Sequence, residues 1–300
     1  MATLRLVQIF AIVIAGASIG CSIDVQGSQT STREEKQFTV SATEPVDLKI
    51  QTFDGLIAVR SWDKNEVLVE IERRGPDQAS AEALTVNQSQ EGNRIVIEAP
   101  SPGSRRSVIG FGNWVSQSVN FTVTVPRRVQ LGARTGDGFI EVRDLEGTVD
   151  VNSGDGRITA SNVNGQLQAH TGDGQIRIDD VTGRVEADSG DGTIEIAGLL
   201  NELTVRTGDG SVRVDAADGS SMKGDWRVTT GDGRILMRVP TGFNAEVDAS
   251  TGDGTVRVEG VSNEPSDRDE SERRRVVGRL GSGGATLQLR SGDGSIEVSR

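Results

Sequence analysis

The sequence predicts an all-β protein, and within that class a single-stranded β-solenoid (β-helix) with about 18 residues per coil. Three observations carry the prediction. A tetrapeptide returns at a fixed interval, glycine marks a half-period of nine residues, and short runs alternate apolar and polar residues. Because one such unit cannot bury its own apolar face, the units must stack, with each coil lying in parallel on its neighbour.

The tetrapeptide Ser/Thr-Gly-Asp-Gly occurs eight times. Its first five copies recur at one constant interval, which is the mark of a repeat architecture. The three later intervals are longer and unequal, so length was added without loss of the motif. Its aspartates are Asp137, Asp155, Asp173, Asp191, Asp209, Asp232, Asp253 and Asp293.

Glycine recurs every nine residues from Gly138 to Gly192, and the next such position holds Asn201, which tolerates left-handed backbone angles. Apolar pairs such as Ile176 and Ile178 follow these glycines and predict half-buried strands. A further apolar position precedes every second glycine, at Leu145, Val163, Val181 and Leu199. Outward positions one coil apart bring opposite charges together, as in-register stacking favours. They are Glu141, Thr159, Arg177, Glu195 and Arg213.

A β-sandwich of short hairpins is the competing architecture, because Asp-Gly is also a hairpin signal. A sandwich gives no reason for a constant period that holds over five units. The solenoid is therefore favoured.

The regions on either side of the repeat are less regular. Alternating strands before it are suited to covering the terminal coil, and a short helix is predicted from Asp77 to Leu84. The predicted segments are a signal peptide at 1–20, a flexible tether at 21–37, a β-rich N-terminal cap with the first coils at 38–131, and the repeat solenoid at 132–300 with a charged, solvated insertion at 262–275.

The N-terminus resembles an export signal. An apolar run from Leu6 to Ala17 is too short to span a membrane, and small residues follow it. Ser18-Ile19-Gly20-Cys21 resembles a bacterial lipobox, which makes Cys21 the expected lipidation site; the alternative is an ordinary signal peptide with an incidental cysteine. Ser22 is not aspartate, which by the sorting rule of enteric bacteria favours the outer membrane. Otherwise the protein is expected in the periplasm or secreted.

Composition excludes several functions. The 300 residues carry a net charge of -12, which argues against nucleic acid as a partner. One His and one Cys leave little scope for metal or nucleophile chemistry, and one Cys cannot form an internal disulfide. His170 shares its position in the repeat with Asn152, Asp188 and Arg206, which marks an exposed turn and not a catalytic base. Trp62, Trp114 and Trp226 are far apart in sequence, so no aromatic platform for a polysaccharide lyase is expected. The protein is predicted not to be an enzyme.

The row of aspartates is the one group that suggests a site. The structural interpretation is that each carboxylate accepts N–H groups of its own turn while the flanking glycines supply unusual backbone angles. The functional interpretation is a row of calcium ions. One carboxylate per coil is poor in oxygen for a cation that takes six or more ligands. We therefore expect no cofactor and no metal, with calcium as the alternative.

Three stretches resemble the "putative adhesin" domain of bacterial envelope proteins, a Gly-Asp-Gly repeat solenoid family of largely unknown function. They are the opening Val46 to Ile50 with Asp54 to Val59 and Ser61 to Asp63, the Gly-Asp-Gly ladder, and the close from Gly281 to Leu289 with Ser291 to Ile296. The likeness covers about Phe38 to Arg300. It implies a solenoid fold and an envelope location, and it carries over no catalytic residue.

Two classes of function remain open. The first is an envelope adhesin or structural scaffold, anchored to the membrane by an N-terminal lipid and presenting a stiff polar face to an envelope protein or glycan; a self-polymerising solenoid is a subtype. The second is an accessory protein in envelope stress sensing or assembly, which binds a membrane partner through its cap or its charged insertion.

Overall fold

The computed structural model describes residues 23–26, 29–102, 117–262 and 274–300. These residues form one short helix and 21 strands that join in a continuous sheet. The first ten strands and the helix are β1 Ile23–Gln26, β2 Gln29–Thr39, β3 Val46–Thr52, β4 Ile57–Trp62, β5 Glu66–Gly75, α1 Gln78–Glu82, β6 Asn87–Glu91, β7 Arg94–Ala99, β8 Ser118–Pro126, β9 Arg128–Thr135 and β10 Ile140–Ser153. The others are β11 Ile158–Thr171, β12 Ile176–Ser189, β13 Ile194–Thr207, β14 Val212–Ala216, β15 Trp226–Thr230, β16 Ile235–Arg238, β17 Ala245–Thr251, β18 Val256–Val258, β19 Arg275–Leu280, β20 Thr286–Ser291 and β21 Ile296–Ser299.

The centre of the molecule is the predicted β-solenoid. Strands β10 to β13 are 14 residues long and pair in parallel, so that Ile140 lies opposite Ile158 and Ile158 opposite Ile176. Each strand bends once in its middle and contributes to two faces. Face A contains β4, β8, the first halves of β10 to β13, and β14, β16, β18 and β21. Face B contains β3, β7, β9, the second halves of β10 to β13, and β15, β17 and β20.

The core between the two faces is aliphatic and is formed by the alternating positions that were predicted to face inward. Ile176 and Ile178 are fully buried, and so are their counterparts in the neighbouring coils. The predicted outward positions stand in one row, since Arg177 lies opposite both Thr159 and Glu195. Burial of aliphatic side chains at roughly 25 cal/mol per Å² of apolar surface is therefore the main stabilising contribution along the stack.

The bend in each central strand is a second, tighter corner that the sequence only partly indicated. Asp180 has a φ of 56° and Gly183 a φ of 133°, and the two preceding coils repeat this pair. In β13 the pairing shifts by one residue, so that Leu200 lies opposite Gly183 and Gly198, with a φ of 154°, lies opposite Val181. Asn201 is not left-handed, so the expectation for it was wrong. The same shift leaves Leu199 exposed and buries Leu200 in its place.

The order of coils along the solenoid departs from chain order at both ends. The coil of β3 and β4 lies between the coil of β7 and β8 and that of β9 and β10. The coil of β20 and β21, which ends the chain, lies between that of β15 and β16 and that of β17 and β18. A simple winding in chain order, which the repeat predicted, therefore holds only in the central part.

Antiparallel strands cover the ends of the stack. β5 pairs with β8, β6 with β7 and β19 with β17. β2 pairs with β5 along its length, from Thr30 opposite Gly75 to Thr39 opposite Glu66. The prediction of a flexible tether at 21–37 was therefore wrong for residues 23–26 and 29–37, because these residues form β1 and β2, which pair with each other.

The short predicted helix is present as α1, Gln78–Glu82. Asp77 caps it, its Oδ1 accepting from the backbone N–H of Ser80 at 2.7 Å. Cys21, Trp114 and most of the charged insertion at 262–275 lie outside the described residues.

Candidate functional site: the aspartate ladder

The eight predicted aspartates come together along one edge of the solenoid, where the chain leaves face B and enters face A of the next coil. Pairing of the flanking strands sets their order. Because the last coil is inserted between two others, Asp293 lies between Asp232 and Asp253. All eight side chains are exposed. Neighbouring coils in such a stack are about 4.8 Å apart, so the ladder is a dense row of carboxylates.

Asp54 is a ninth member that the sequence search missed. It lies in Thr52-Phe53-Asp54-Gly55, where phenylalanine stands in place of the first glycine. The turn stacks on the first predicted one, since Thr135 Oγ1 donates to the carbonyl of Gly55 at 3.0 Å. Burial raises the pKa of Asp54, the backbone N–H of Gly55 opposes this, and the charge of Asp137 adds to the rise. A search for Thr-x-Asp-Gly would have found it.

The hydroxyl groups of the motif, and not the carboxylates, hold each turn. Ser153 Oγ accepts from the N–H of Gly156 in its own turn at 3.1 Å and donates to the carbonyl of Gly138 in the neighbouring coil at 2.8 Å. The donor bond to the neighbouring coil recurs at distances between 2.7 and 3.0 Å in all eight motifs. These hydroxyl residues are at most 8 % exposed. They are Thr135, Ser153, Thr171, Ser189, Thr207, Thr230, Thr251 and Ser291.

The carboxylates lean toward the next coil. Asp191 Oδ1 accepts from the backbone N–H of Asp209 at 3.2 Å. In the same way Asp155 Oδ1 occupies the space that a Cβ on Gly172 would need. The prediction that each aspartate accepts N–H groups within its own turn was therefore wrong, because the buried hydroxyl already fills that role.

In seven of the eight motifs stacking, and not backbone angle, requires the second glycine; the exception is Gly254, with a φ of 156°. A Cβ on Gly156 would lie 1.7 Å from the carbonyl oxygen of Gly138. Its φ is outside the left-handed region, so an unusual backbone conformation is not the reason for glycine here. The expectation that these glycines supply unusual angles was wrong for this position.

A profile described as Toastrack DUF4097 matches residues 46–299. The chain belongs to the Toastrack family. The match begins at the first residue of β3 and includes the coils and the whole ladder. The resemblance predicted from the opening, the ladder and the close is thereby confirmed at the level of the family, whose function is unknown.

Three solved structures are similar to the Toastrack chain at low identity. The first is a putative cell adhesion protein from Clostridium sporogenes, with 12% identity, a TM-score of 0.33, and cover of 90% of this chain and 99% of that one. The second is a putative adhesin from Bacteroides fragilis, with 14% identity, a TM-score of 0.45, and cover of 89% of this chain and 96% of that one. The third is a putative lipid binding protein from Parabacteroides distasonis, with 13% identity, a TM-score of 0.47, and cover of 89% of this chain and 97% of that one. A search of curated proteins finds no match.

The carboxylates of the ladder lie in a single row and do not surround a common point. Across the described ranges, no three His, Cys, Asp or Glu side chains are grouped so that they could hold a metal ion. Adjacent carboxylates about 4.8 Å apart repel by roughly 1 kcal/mol in a water-like medium. The hydrogen bonds of the buried hydroxyls and the glycine-to-glycine backbone bonds at each turn offset this repulsion.

The histidine and the described tryptophans considered in the sequence analysis lie away from the ladder. His170 is exposed, as its position in the repeat predicted, but it lies near the end of strand β11, opposite Asn152 and Asp188, and not in a turn. Trp226 is fully buried against Phe243, with ring centroids 5.2 Å apart. Trp62 donates from Nε1 to the carbonyl of Glu66 at 2.7 Å. Within the described residues, no helix is both long and apolar enough to cross a membrane.

Proposed function

We propose that this Toastrack protein is a non-enzymatic component of the bacterial cell envelope, held to the outer membrane by a lipid on Cys21 and acting as an adhesin or interaction scaffold. One observation carries the scaffold role, namely the in-register stack. Face A aligns ten parallel strands, which corresponds to a rod of about 45 Å. The polar atoms along the ladder edge serve the stacking of the rod itself.

The cap supports attachment by the N-terminal end. β2 begins at Gln29, eight residues after Cys21, and is fixed to β5 by a continuous antiparallel ladder. Arg33 and Arg73 of these two strands form ion pairs with Glu72 and Glu34 of the opposite strand at 3.0 and 2.8 Å. β1, which pairs with β2, begins two residues after Cys21. A lipid on Cys21 would therefore hold the start of β1 within about 7 Å of the membrane, since an extended chain spans at most about 3.5 Å per residue.

Metabolic labelling with a fatty-acid probe tests the anchor. The wild-type protein should be labelled and should fractionate with the outer membrane, while Cys21→Ser should lose the label and become soluble after export. Equal labelling of both proteins, or of neither, would contradict the lipid anchor.

A further inference from the structure

Gly132 lies in the middle of β9, on the outward side of face B, in surroundings that do not require glycine. Its φ is outside the left-handed region, and its pairing with β3 and β10 is regular. A Cβ built on it would come no closer to another residue than 3.9 Å, from the Cγ of Lys49. Every other glycine within a described strand would place its Cβ 2.8 Å or less from a neighbouring atom.

Glycine inside a strand weakens it, and its usual reasons are a bulge, a tight bend or the close approach of another molecule. The regular pairing of Gly132 excludes a bulge, and the extended backbone of β9 on both sides excludes a bend. Close approach of another molecule is the explanation that remains.

The missing side chain opens a groove of about 320 Å³ on face B, which we call the Gly132 groove. Lys49 on β3 and Asp150 on β10 flank the glycine, each directly opposite it in the pairing. Arg134 lies two residues further along β9, with Gln51 opposite it. The groove is thus surrounded by an ammonium, a carboxylate, a guanidinium and an amide. Glu98 and Val96 of β7 line its far end.

We propose that the Gly132 groove binds a saccharide unit of an envelope glycan. The proposal rests on the envelope function argued above. The lining mixes donors with acceptors, as the adjacent hydroxyls of a sugar ring require. Its two positive charges, Lys49 and Arg134, are matched by the two negative charges of Asp150 and Glu98, which gives no net preference for an anion. The bare backbone of Gly132 lets a sugar ring approach the sheet closely.

A matched pair of variants tests the groove. Gly132→Val fills the groove with a good strand former, and Gln168→Val places the same residue in the same row of face B, two coils away and outside the groove. Both proteins and the wild type would be applied to an array of bacterial envelope polysaccharides. The wild type should bind one or more neutral glycans, Gly132→Val should bind them at least about tenfold more weakly, and Gln168→Val should bind as the wild type does. The melting temperature of Gly132→Val should equal or exceed that of the wild type.

Several results would overturn the proposal. One is that the wild type binds no glycan, and another is that Gly132→Val binds as strongly as the wild type. A third is binding only to acidic glycans that disappears in high salt, because this would indicate attraction to a charged surface and not to the groove. A lower melting temperature for Gly132→Val would show that the glycine is structural. Fatty-acid labelling of Cys21 is independent of all these outcomes, so failure of the groove and failure of the envelope anchor are distinguishable.

Discussion

The hydroxyl of Ser153 donates to the carbonyl oxygen of Gly138 across the boundary between two coils, at 2.8 Å. Both partners lie at the corner where the solenoid turns, and Ser153 is only 2 % exposed. A carbonyl buried at such a corner has no water to replace a lost donor, so the cost of removing the hydroxyl exceeds the worth of an exposed hydrogen bond. The Ser/Thr row is therefore the part of the motif on which stability depends most directly.

Replacement of this hydroxyl tests the role of the row. Ser153→Ala removes the contacts of this hydroxyl with Gly136, Gly138 and Gly156, and it should lower the free energy of unfolding by about 1–3 kcal/mol. Ser153→Thr is the matched control, since threonine occupies the same position in neighbouring coils, and it should unfold close to the wild type. Urea unfolding measures both. If the alanine variant unfolds at the wild-type midpoint, the hydroxyl does not hold the turn.

Three neighbouring residues at the start of β12 test which of the alternating side chains face inward. Ile176 is fully buried, and Ile176→Asp would place an unpaired carboxylate in the core, at a cost of several kcal/mol. Gln175→Asp changes the residue just before it, outside the core, and should cost much less. Arg177→Asp should be intermediate, because it also loses the 3.0 Å contact with Glu195. Equal unfolding midpoints for the three variants would contradict the alternation.

The cap makes a prediction about pH. Burial alone would raise the pKa of Glu72. Hydrogen bonds from Asn120 and Arg33 and the charge of Arg74 lower it by more than burial raises it, so the pKa lies below its usual range. A carboxyl whose pKa is lower in the folded than in the unfolded protein stabilises the fold above the ordinary value of 4.5, and this contribution is lost as the pH falls through the folded value.

Glu72→Gln should therefore be less stable than the wild type at neutral pH, and the difference should shrink as the pH falls below about 4. Thermal unfolding at a series of pH values measures it. Glu70→Gln, on the same strand but with no ion pair among the described residues, is the control and should follow the wild type. A difference that stays constant with pH would show that Glu72 contributes by packing alone.

The sequence was sufficient for the central coils because each repeats the same local rule. Ile158 and Ile176 occupy identical positions in consecutive units, so their pairing could be predicted by counting residues. The order of coils at the C-terminal end could not be predicted in this way. Trp226 pairs with Leu287, which comes more than two coil lengths later in the chain, and such a contact leaves no periodic trace.

Three failures of the sequence interpretation have local causes. β2 carries only Phe38 as a large apolar residue, and it is joined to the cap by its backbone pairing with β5; its composition therefore resembled a tether. Asp54 was missed because Phe53 replaces a glycine that the search required. The direction of the ladder carboxylates depended on where the buried hydroxyls point, which the order of residues in the motif does not reveal.

The ladder itself provides the last prediction, which concerns calcium. Asp173 is exposed, and its Oδ1 lies close to Gly190 of the next coil, so its role is a modest contact between coils. Asp173→Asn keeps the acceptor and relieves repulsion, and should therefore be tolerated, while Asp173→Ala should cost at most about 1 kcal/mol. A row of bound calcium ions would instead make both changes strongly destabilising, because each removes a charged ligand. Calcium that binds only the folded protein would also raise the melting temperature by mass action. We expect thermal unfolding of the wild type in excess calcium and in excess chelator to agree closely, and a separation of many degrees would assign the ladder to calcium.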